Sequence, residues 1–292
     1  MHETDRLRRA DPLVDISLED LLDALGLAAP PGAWMRPLLR PAARRFAGIV
    51  REFDDRVDAA GLASASHWLL HQLAGGLQVA GHDHVPHSGP LLVLSNHPGM
   101  TDTAALFASL PARADLRVIA LDRPFLRMLP HVGSRLIFAS SSGASRIRAV
   151  RAGIAHLRQG GALLTFPAGA IEPDPAAAGV RPATDALGAW SNSFTLWARA
   201  VPDTRIVPAI VSQVVSAQAL RHPLTRLRRA AVNRDKLAVA LQILWRPYRR
   251  LPARVVFGAP LTTHTRSAEE LQQAVVARAS ALIGAGARDP DD

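Results

Sequence analysis

Short apolar runs alternate with longer stretches of helical periodicity from about residue 77 onward. Four to eight apolar residues bounded by turn residues are typical of strands buried on both faces of a sheet. Their alternation with helices predicts an α/β fold with an open, mainly parallel sheet flanked by helices. The runs predicted as strands or extended pieces, some with a closing turn, are 77–81, 91–94, 116–121, 131–138, 160–169, 205–211 and 254–258.

The segment before the first strand has the apolar spacing of amphipathic helices. Ser17 to Asp20 has the form of a capping box, which predicts a helix that starts there and ends at Gly26. Residues 34–57 and 63–77 show two further helical patterns. Three regions are therefore predicted: an N-terminal helical, membrane-facing segment over 1–76, an α/β domain over 77–284 and a polar tail over 285–292.

Later segments between the strands are also assigned from composition and spacing. The Pro-, Ala- and Gly-rich residues that follow Glu172, through about 183, predict a loop. Leu187 to Ala200 predicts one helix that packs on the sheet. Ser267 to Glu270 forms a second capping box, which predicts a last helix ending near Gly284.

Two stretches, 34–57 and 221–251, intersperse arginines with apolar residues and tryptophan. A basic amphipathic helix of this kind can lie on an anionic bilayer surface. The same pattern fits helices that pack on the domain with their arginines in water, and both interpretations stay open. The formal net charge of +9 comes almost entirely from arginine, since Lys236 is the only lysine.

Composition excludes several kinds of chemistry. The chain has no cysteine, so disulfides, thiolate catalysis and cysteine metal sites are excluded. No run reaches the ~18 apolar residues of a membrane-spanning helix, and the first residues lack the apolar core of a secretory signal. Aromatic residues make up only 5% of the chain and no nucleic-acid-binding motif is recognisable. We therefore expect no nucleic-acid partner, and the histidine spacing predicts no metal site.

The strongest candidate chemistry follows the apolar run Leu91 to Leu94. That run leads into His97, Pro98-Gly99 forces a turn, and Asp102 lies at the start of the next predicted helix. Such a turn can bring the carboxylate to the imidazole, where it would fix the tautomer and stabilise the imidazolium. A histidine held in this way can take a proton from an alcohol. The same spacing also fits a loop histidine followed by a helix-capping aspartate.

A second candidate is the polar loop 139–145, followed by Arg146, Arg148 and Arg151 at a predicted helix start. Small residues at a helix N-terminus with arginines nearby fit an anion-binding site, and they fit a capped, solvated helix start equally well. The chain has no Gly-x-Ser-x-Gly nucleophile elbow, which leaves a serine hydrolase unsupported.

Four blocks in this order resemble the glycerolipid acyltransferases with a His-x4-Asp motif, the 1-acylglycerol-3-phosphate acyltransferase-like family. Asn96 to Asp102 matches the first block fully, and the resemblance covers about residues 77–260. Gly133 to Ile137 resembles the second block, Gly-x-x-Phe-Ile-x-Arg. Phe166 to Gly169 resembles the third, Phe-Pro-Glu-Gly-Thr-Arg-Ser. Ile206 to Ala209, with Pro208, resembles the fourth, an apolar-Pro-apolar strand.

The resemblance implies acyl transfer from a thioester of coenzyme A or acyl carrier protein to a lipid hydroxyl, with no cofactor or metal. His97 would be the general base and Asp102 would orient it. It also implies a cytoplasmic protein, peripheral at the inner face of the cell membrane, which suits the two basic stretches. It implies nothing about oligomeric state.

The third block of the family carries a Glu and an Arg that help to hold the glycerol phosphate, and the second block carries an Arg. Ala168, Ile171 and Ala139 occupy those positions here. Lysophosphatidic acid is therefore in question as the acceptor, and a glycolipid, a lyso-aminolipid or a polyol is an alternative. Glu172, Arg135 or Arg146 are candidates to replace the lost groups. The predicted substrate-binding residues are Gly133, Arg135, Arg146, Phe166, Pro167, Gly169, Glu172 and Pro208.

Two other functions compete with acyl transfer. A non-catalytic lipid-binding relative would explain the altered blocks, although the intact His97 and Asp102 favour an enzyme. A thioesterase or other hydrolase would use the same histidine to activate water.

Overall fold

The computed structural model describes residues 11–27, 34–99, 101–140, 142–227, 230–263 and 266–286. Met100 in the predicted turn, the first ten residues, the break around 30–32 and residues 287–292 of the predicted tail lie outside the described residues. The strands are β1 Leu77–Ala80, β2 Leu91–Ser95, β3 Arg117–Leu121, β4 Leu136–Ala139, β5 Ala162–Thr165, β6 Arg205–Ser212 and β7 Ala253–Phe257.

These strands form one sheet in the order β1-β7-β6-β2-β5-β3-β4. All neighbours pair in parallel except β6 and β7, which are antiparallel. The predicted α/β fold with a mainly parallel open sheet is therefore confirmed, and β1 and β7 run opposite to the other five strands. Strand β2 lies at the centre, between β5 and β6.

Twelve α-helices are described along the chain, with short 3₁₀ turns between some of them. The helices are α1 Pro12–Leu25, α2 Arg36–Leu73, α3 Asp102–Ala108, α4 Pro124–Arg127, α5 Pro130–Gly133, α6 Gly143–Arg158, α7 Pro175–Ala178, α8 Val180–Ala186, α9 Thr195–Ala200, α10 Ala217–Leu220, α11 Ala231–Leu244 and α12 Ala268–Gly286. None of the described helices is long and apolar enough to span a membrane.

Two hydrophobic cores cover the two faces of the sheet. Leu91 and Val93 of β2 point into the core formed with α1, α2, α3 and α11. Leu92 and Leu94 point into the other core, formed with α6, α8, α9 and α12. Both faces of β2 are buried, which explains why its sequence is continuously apolar rather than alternating.

The first helix begins earlier than the capping box predicted. Asp11 is the N-cap and accepts the Leu13 N–H at 3.1 Å, with Pro12 in the first turn. Ser17 lies inside α1 and donates its hydroxyl to the Leu13 carbonyl. The predicted start at Ser17 is therefore wrong, whereas the predicted end at Gly26 is confirmed by its left-handed conformation.

The two helices predicted over 34–57 and 63–77 are one element, α2, with a non-helical residue at Gly61. Gly61 has φ +79°, a conformation that glycine adopts without steric cost, so the chain bends there and continues. Some α2 arginines pair with carboxylates around α1. The pairs are Arg36–Glu19, Arg40–Asp15 at 3.2 Å and Arg51–Asp11 at 2.7 Å.

Three other predicted elements differ from the structure. His131 to Gly133, predicted to be extended, is the helix α5, because buried Asp54 accepts the N–H groups of His131 and Val132 at its start. The predicted loop through 183 contains α7 and most of α8. The helix predicted over 187–200 is two 3₁₀ turns followed by α9.

Candidate active site

The candidate site lies where the central strand β2 ends. Asn96 follows β2 and is buried, and its side chain bonds both main-chain groups of Val211 in β6. Its Nδ2 donates to the Val211 carbonyl at 2.9 Å and its Oδ1 accepts the Val211 N–H at 2.7 Å. The side-chain amide of Asn96 thus extends the hydrogen bonding between β2 and β6 beyond the last paired residue, and it fixes the backbone just before His97. Carboxyl ends of parallel strands are the usual position of sites in α/β folds.

His97 and Asp102 are in contact across the turn. The ring Nδ1 of His97 lies 2.6 Å from Oδ2 of Asp102, whose side chain is 1% exposed. Asp102 also accepts the N–H of Gly99 at 2.7 Å and the Thr103 hydroxyl at 3.0 Å. The carboxylate is thus held by the turn itself and by the first residues of α3.

This geometry assigns the ring tautomer and the direction of its pKa. A carboxylate only accepts, so Nδ1 carries the proton and Nε2, which has no partner among the described residues, keeps its lone pair. Burial alone would lower the pKa of His97. The hydrogen bond and charge of Asp102, with the charge of Glu172, outweigh burial and raise that pKa above 6.5. The site therefore holds a histidine whose second ring nitrogen keeps its lone pair, beside a carboxylate that orients the ring.

Phe166 packs on the imidazole from the end of β5. The two rings are stacked with centroids 4.5 Å apart and an interplanar angle of 29°. The chain then turns at Pro167, whose carbonyl accepts the Ser191 N–H, and Gly169 adopts φ +64° to close the turn on the Phe166 carbonyl. The third block therefore forms one wall of the site, next to His97.

Glu172 holds the backbone of His97. Its Oε2 accepts the His97 N–H at 2.9 Å, and its own N–H donates to the His97 carbonyl at 2.9 Å. Its Oε1 accepts the indole N–H of Trp190 at 2.8 Å. The side chain is buried, and burial raises the pKa of Glu172 to about 7 although both hydrogen bonds act in the opposite direction.

Asp174 joins this loop to the end of β6. Its two carboxylate oxygens accept the N–H groups of Ala176, Gln213, Val214 and Val215 at 2.8 to 3.1 Å. Because the side chain is buried, these four donors replace the water that it loses. The segment 172–174 is therefore fixed at both ends.

The structure does not bring all the predicted substrate-binding residues together. Arg135 precedes β4 and donates to the Ala114 carbonyl before β3, so it lies at the amino edge of these parallel strands, opposite the edge of His97. Gly133 ends α5 just before it. Arg146 is exposed on the first turn of α6, which follows β4 on the carboxyl side.

Pro208 is buried inside β6, where it pairs with Leu94 of β2. Proline lacks an N–H, but its carbonyl accepts the Gly258 N–H at 2.8 Å. It supports the strand next to the site, one residue before the last pair between β2 and β6.

A cavity of about 390 Å³ reaches this site from the side of α1, α2 and α11. Pro98, Gly99 and Ile171 form part of its wall, together with Arg123, whose charge acts on His97. Arg123 is the second residue after β3 and is exposed. Sequence reasoning missed Arg123, Trp190 and Asp174 as parts of the site. Only the position of Arg123, the second residue after a strand, gave a local signal.

Comparisons with known proteins were made at the level of sequence and of structure. No model of a protein family matches the chain, and no curated protein does. The chain is similar to the crystal structure of the 1-acyl-sn-glycerophosphate acyltransferase PlsC from Thermotoga maritima, with 14% sequence identity, a TM-score of 0.49, and coverage of 96% of this chain and 97% of that chain. A likeness at this level carries no functional inference, so the function is derived from the geometry of His97 and its surroundings.

Proposed function

We propose that this protein is an acyltransferase that moves a fatty acyl group from an acyl thioester to a hydroxyl of a lysolipid or related lipid. The observation that carries the proposal is the contact between Nδ1 of His97 and buried Asp102 at the end of β2. It leaves Nε2 available as a base next to an apolar cavity. The ordered blocks that resemble the glycerolipid acyltransferases support the same chemistry.

In the proposed reaction, Nε2 of His97 takes the proton of the acceptor hydroxyl, and the oxygen attacks the thioester carbonyl carbon. The carbon–sulfur bond then breaks, and the imidazolium returns its proton to the leaving thiolate. Asp102 stabilises the imidazolium between these two steps. Main-chain N–H groups near the turn are the proposed donors to the oxyanion. This route uses no metal, cofactor or covalent enzyme intermediate.

The donor is a thioester of coenzyme A or of acyl carrier protein. The acceptor class depends on whether the charged groups of the cavity favour an anionic or an uncharged lipid. Arg123 is the described arginine whose charge acts on His97. A guanidinium there is suited to an anionic group on either substrate. An acceptor panel with and without phosphate therefore tests which substrate it serves.

The proposed function is tested by product analysis with the purified protein. The protein is incubated with palmitoyl coenzyme A or palmitoyl acyl carrier protein and with lysophosphatidic acid, a monoacylglycerol or a lyso-aminolipid. We expect a diacyl product from at least one acceptor, with release of one thiol per ester formed. If the products are free fatty acid and no acylated lipid, the protein is a thioesterase and not an acyltransferase. If no thioester is consumed, the result favours a lipid-binding protein.

We propose further that the protein works as a peripheral protein at the cytoplasmic face of the cell membrane. Large apolar side chains are exposed on both segments that the sequence predicts as membrane-facing. They are Trp34, Leu38, Leu244, Trp245 and Leu251. A second cavity is lined by residues of α2 and α11, so the two segments adjoin. The lining residues are Pro41, Ala42, Arg45, Phe46 and Ile49 of α2 and Ile243 and Leu244 of α11. Exposed arginines Arg44, Arg45 and Arg246 add positive charge to this side.

Liposome flotation checks this membrane proposal. Replacing both Leu38 and Trp245 with serine should lower the partition coefficient onto anionic vesicles by at least about tenfold, because each buried apolar side chain contributes roughly 1.5 kcal/mol or more. Binding of the wild type should also weaken at high salt, which screens the arginines.

The matched control for flotation is Leu196→Ser. Leu196 is similarly exposed but lies on α9, in the other helical layer. Equal binding by this control and the double variant would contradict the assignment of this surface.

A further inference from the structure

We propose that the second cavity, between α2 and α11, binds the phosphate group of an anionic ligand through Arg45 and Arg249. The cavity has a volume of about 250 Å³, and none of the described residues of the turn that follows His97 lines it. The site does not require acyl transfer and therefore goes beyond that proposed activity. Only the assignment of the phosphate to a membrane lipid rests on the membrane proposal made above.

Arg249 is a buried cation that main-chain carbonyls hold in place. Its side chain is 9% exposed, and its Nε donates to the Gln242 carbonyl at 2.6 Å. Its Nη1 donates to the Gln72 carbonyl at 3.1 Å, and its Nη2 donates to the Ile243 carbonyl. These carbonyls lie near the carboxyl ends of α11 and α2, where the helix dipole favours a cation. The guanidinium is therefore fixed before a ligand binds.

The same guanidinium keeps two N–H groups for a ligand. An arginine side chain has five N–H donors, and the three carbonyls use three of them. The two that remain, one on each terminal nitrogen, have no acceptor within the described part of the chain. Because Arg249 lines the cavity, an anion there can accept them. The planar fork of a guanidinium matches the oxygens of a phosphate group.

Two further arginines add positive charge at this place. Arg45 lines the cavity with Arg249, and the charges of Arg45 and Arg246 both act on Arg249. Burial lowers the pKa of Arg249, and these two like charges lower it further. Across the described ranges, no carboxylate pairs with any of the three arginines and no acidic residue lines the cavity. A buried charge with like charges around it is costly unless a counter-ion enters, so the cavity favours an anion.

The first cavity differs in this respect although it adjoins the second. Asp20, Asp23 and Asp235 line the first cavity, and their carboxylates repel an anion. The arginines and the aspartates are thus separated between two neighbouring cavities. The charge pattern therefore directs a phosphate to the second cavity.

The rest of the second cavity fits a phosphate that is attached to a larger molecule. Its volume is several times the ~30 Å³ that one water occupies in the liquid. Apart from the two arginines, its wall is aliphatic and aromatic, and Leu244 in that wall is 38% exposed. Trp245 follows at 56% exposure. Arg249 is too buried to lie on a bilayer surface, so a lipid phosphate would have to enter the cavity to reach it.

A pair of neighbouring arginines provides the test variants. Arg45→Gln removes one charge from the cavity wall, and the exposed Arg45 makes no hydrogen bond or ion pair within the described residues, so the fold should be kept. The matched control, Arg44→Gln, removes the same charge from an exposed residue that does not line the cavity. Arg249 is left intact, since its replacement would also release two helix ends.

The first arm of the experiment uses inorganic phosphate alone. It is titrated into the full chain by calorimetry, with chloride keeping the ionic strength constant so that screening does not change. We expect wild type and Arg44→Gln to bind alike and Arg45→Gln to bind at least about tenfold more weakly. The reason is that a charge-assisted hydrogen bond to phosphate is lost only in Arg45→Gln.

The second arm uses flotation with phosphatidylcholine vesicles that contain phosphatidylglycerol. General attraction to an anionic surface would weaken equally in both variants, since each removes one positive charge. A phosphate that enters the cavity predicts a larger loss for Arg45→Gln than for Arg44→Gln, again by at least about tenfold.

The two arms identify the source of the phosphate. A difference between the variants in the first arm alone assigns a soluble phosphate ligand, and a difference in the second arm alone assigns a lipid headgroup. Differences in both arms assign a phosphate site that accepts either source. Equal behaviour of Arg44→Gln and Arg45→Gln in both arms would overturn the site. Neither arm contains a thioester, so this result is independent of whether acyl transfer is detected.

Discussion

Replacing His97 with alanine is expected to lower kcat/KM for acyl transfer by about 10²- to 10⁴-fold, the usual contribution of a positioned general base. In the proposed mechanism the imidazole carries the lone pair that takes the hydroxyl proton, and no second histidine hydrogen-bonds to Asp102 in the described structure. The ring is 30% exposed and its main-chain bonds to Glu172 do not involve the side chain. Asp102 keeps its hydrogen bonds from Gly99 and Thr103 in this variant, and rates are compared at a temperature at which both proteins are shown to be folded.

Two further variants test whether a loss of acyl-transfer activity in His97→Ala comes from the loss of this particular imidazole. His67→Ala removes an exposed histidine of α2 and should transfer acyl groups like the wild type. Asp102→Asn keeps the shape of the side chain but removes the charge that orients the ring and stabilises the imidazolium, so it should also lose most activity. Wild-type rates for His97→Ala would remove the histidine from the mechanism.

The pH profile checks the same assignment. His97 must be neutral to accept a proton, so kcat/KM should rise with pH through the pKa of His97, which the charge and hydrogen bond of Asp102 hold above 6.5. Removing that charge in Asp102→Asn should move the midpoint of the remaining activity to lower pH. An unmoved midpoint would assign the observed pKa to another group.

The strands and the contact between His97 and Asp102 were predictable because their signals are local. Continuous apolar runs are typical of strands buried on both faces, and the run Leu91 to Leu94 lies in β2 with both faces buried. His97 and Asp102 are five residues apart, so one turn determines whether they meet. The direction of β7 was not predictable in this way, since its pairing depends on β6, more than 40 residues away.

The errors at the starts of α1 and α5 had different causes, one local and one distant. Asp11-Pro12 is as good a helix start as Ser17, and the structure uses the earlier one. The extended character assigned to His131 was overridden by Asp54, whose carboxylate caps α5 from 77 residues earlier in the chain. Propensity is a weak signal at α5 because a distant side chain determines the outcome.

Part of the site could not be predicted for the same reason. Glu172 was predicted to bind substrate in place of the altered third block, and nothing local showed that Trp190 and the His97 backbone would bond its carboxylate. The basic stretch 221–251 likewise contains Arg249, which is buried and donates to carbonyls near the ends of α11 and α2. That arginine therefore cannot face a bilayer, although its neighbours are exposed.

Replacing Glu172 with glutamine is expected to lower kcat by about tenfold or more, with little change in KM. Glutamine offers one acceptor oxygen, whereas the carboxylate accepts from both His97 N–H and Trp190 Nε1. Either the His97 N–H or the Trp190 indole N–H then faces the NH₂ group of glutamine and has no acceptor. The backbone of His97 is held less firmly as a result. Positioning errors of this kind reduce the rate of the chemical step more than binding.

The stability of Glu172→Gln relative to the wild type should also depend on pH. The pKa of Glu172 is raised from 4.5 to about 7 in the folded protein, so folding binds a proton between these values. The contribution of this carboxyl to stability is complete below pH 4.5 and is lost as pH rises through about 7. Between pH 5 and pH 8 the wild type should lose roughly 2–3 kcal/mol from this group, a loss that Glu172→Gln does not share.

Denaturant unfolding at the two pH values and steady-state kinetics with charged and uncharged acceptors check these expectations together. Glu269→Gln, at an exposed position of α12, is the matched control and should alter neither measurement. A rise in KM confined to phosphate-bearing acceptors would return Glu172 to the substrate-binding role predicted from the sequence. A lower kcat for all acceptors, combined with relative stabilisation at pH 8, is expected if the carboxylate positions His97 and does not touch the lipid.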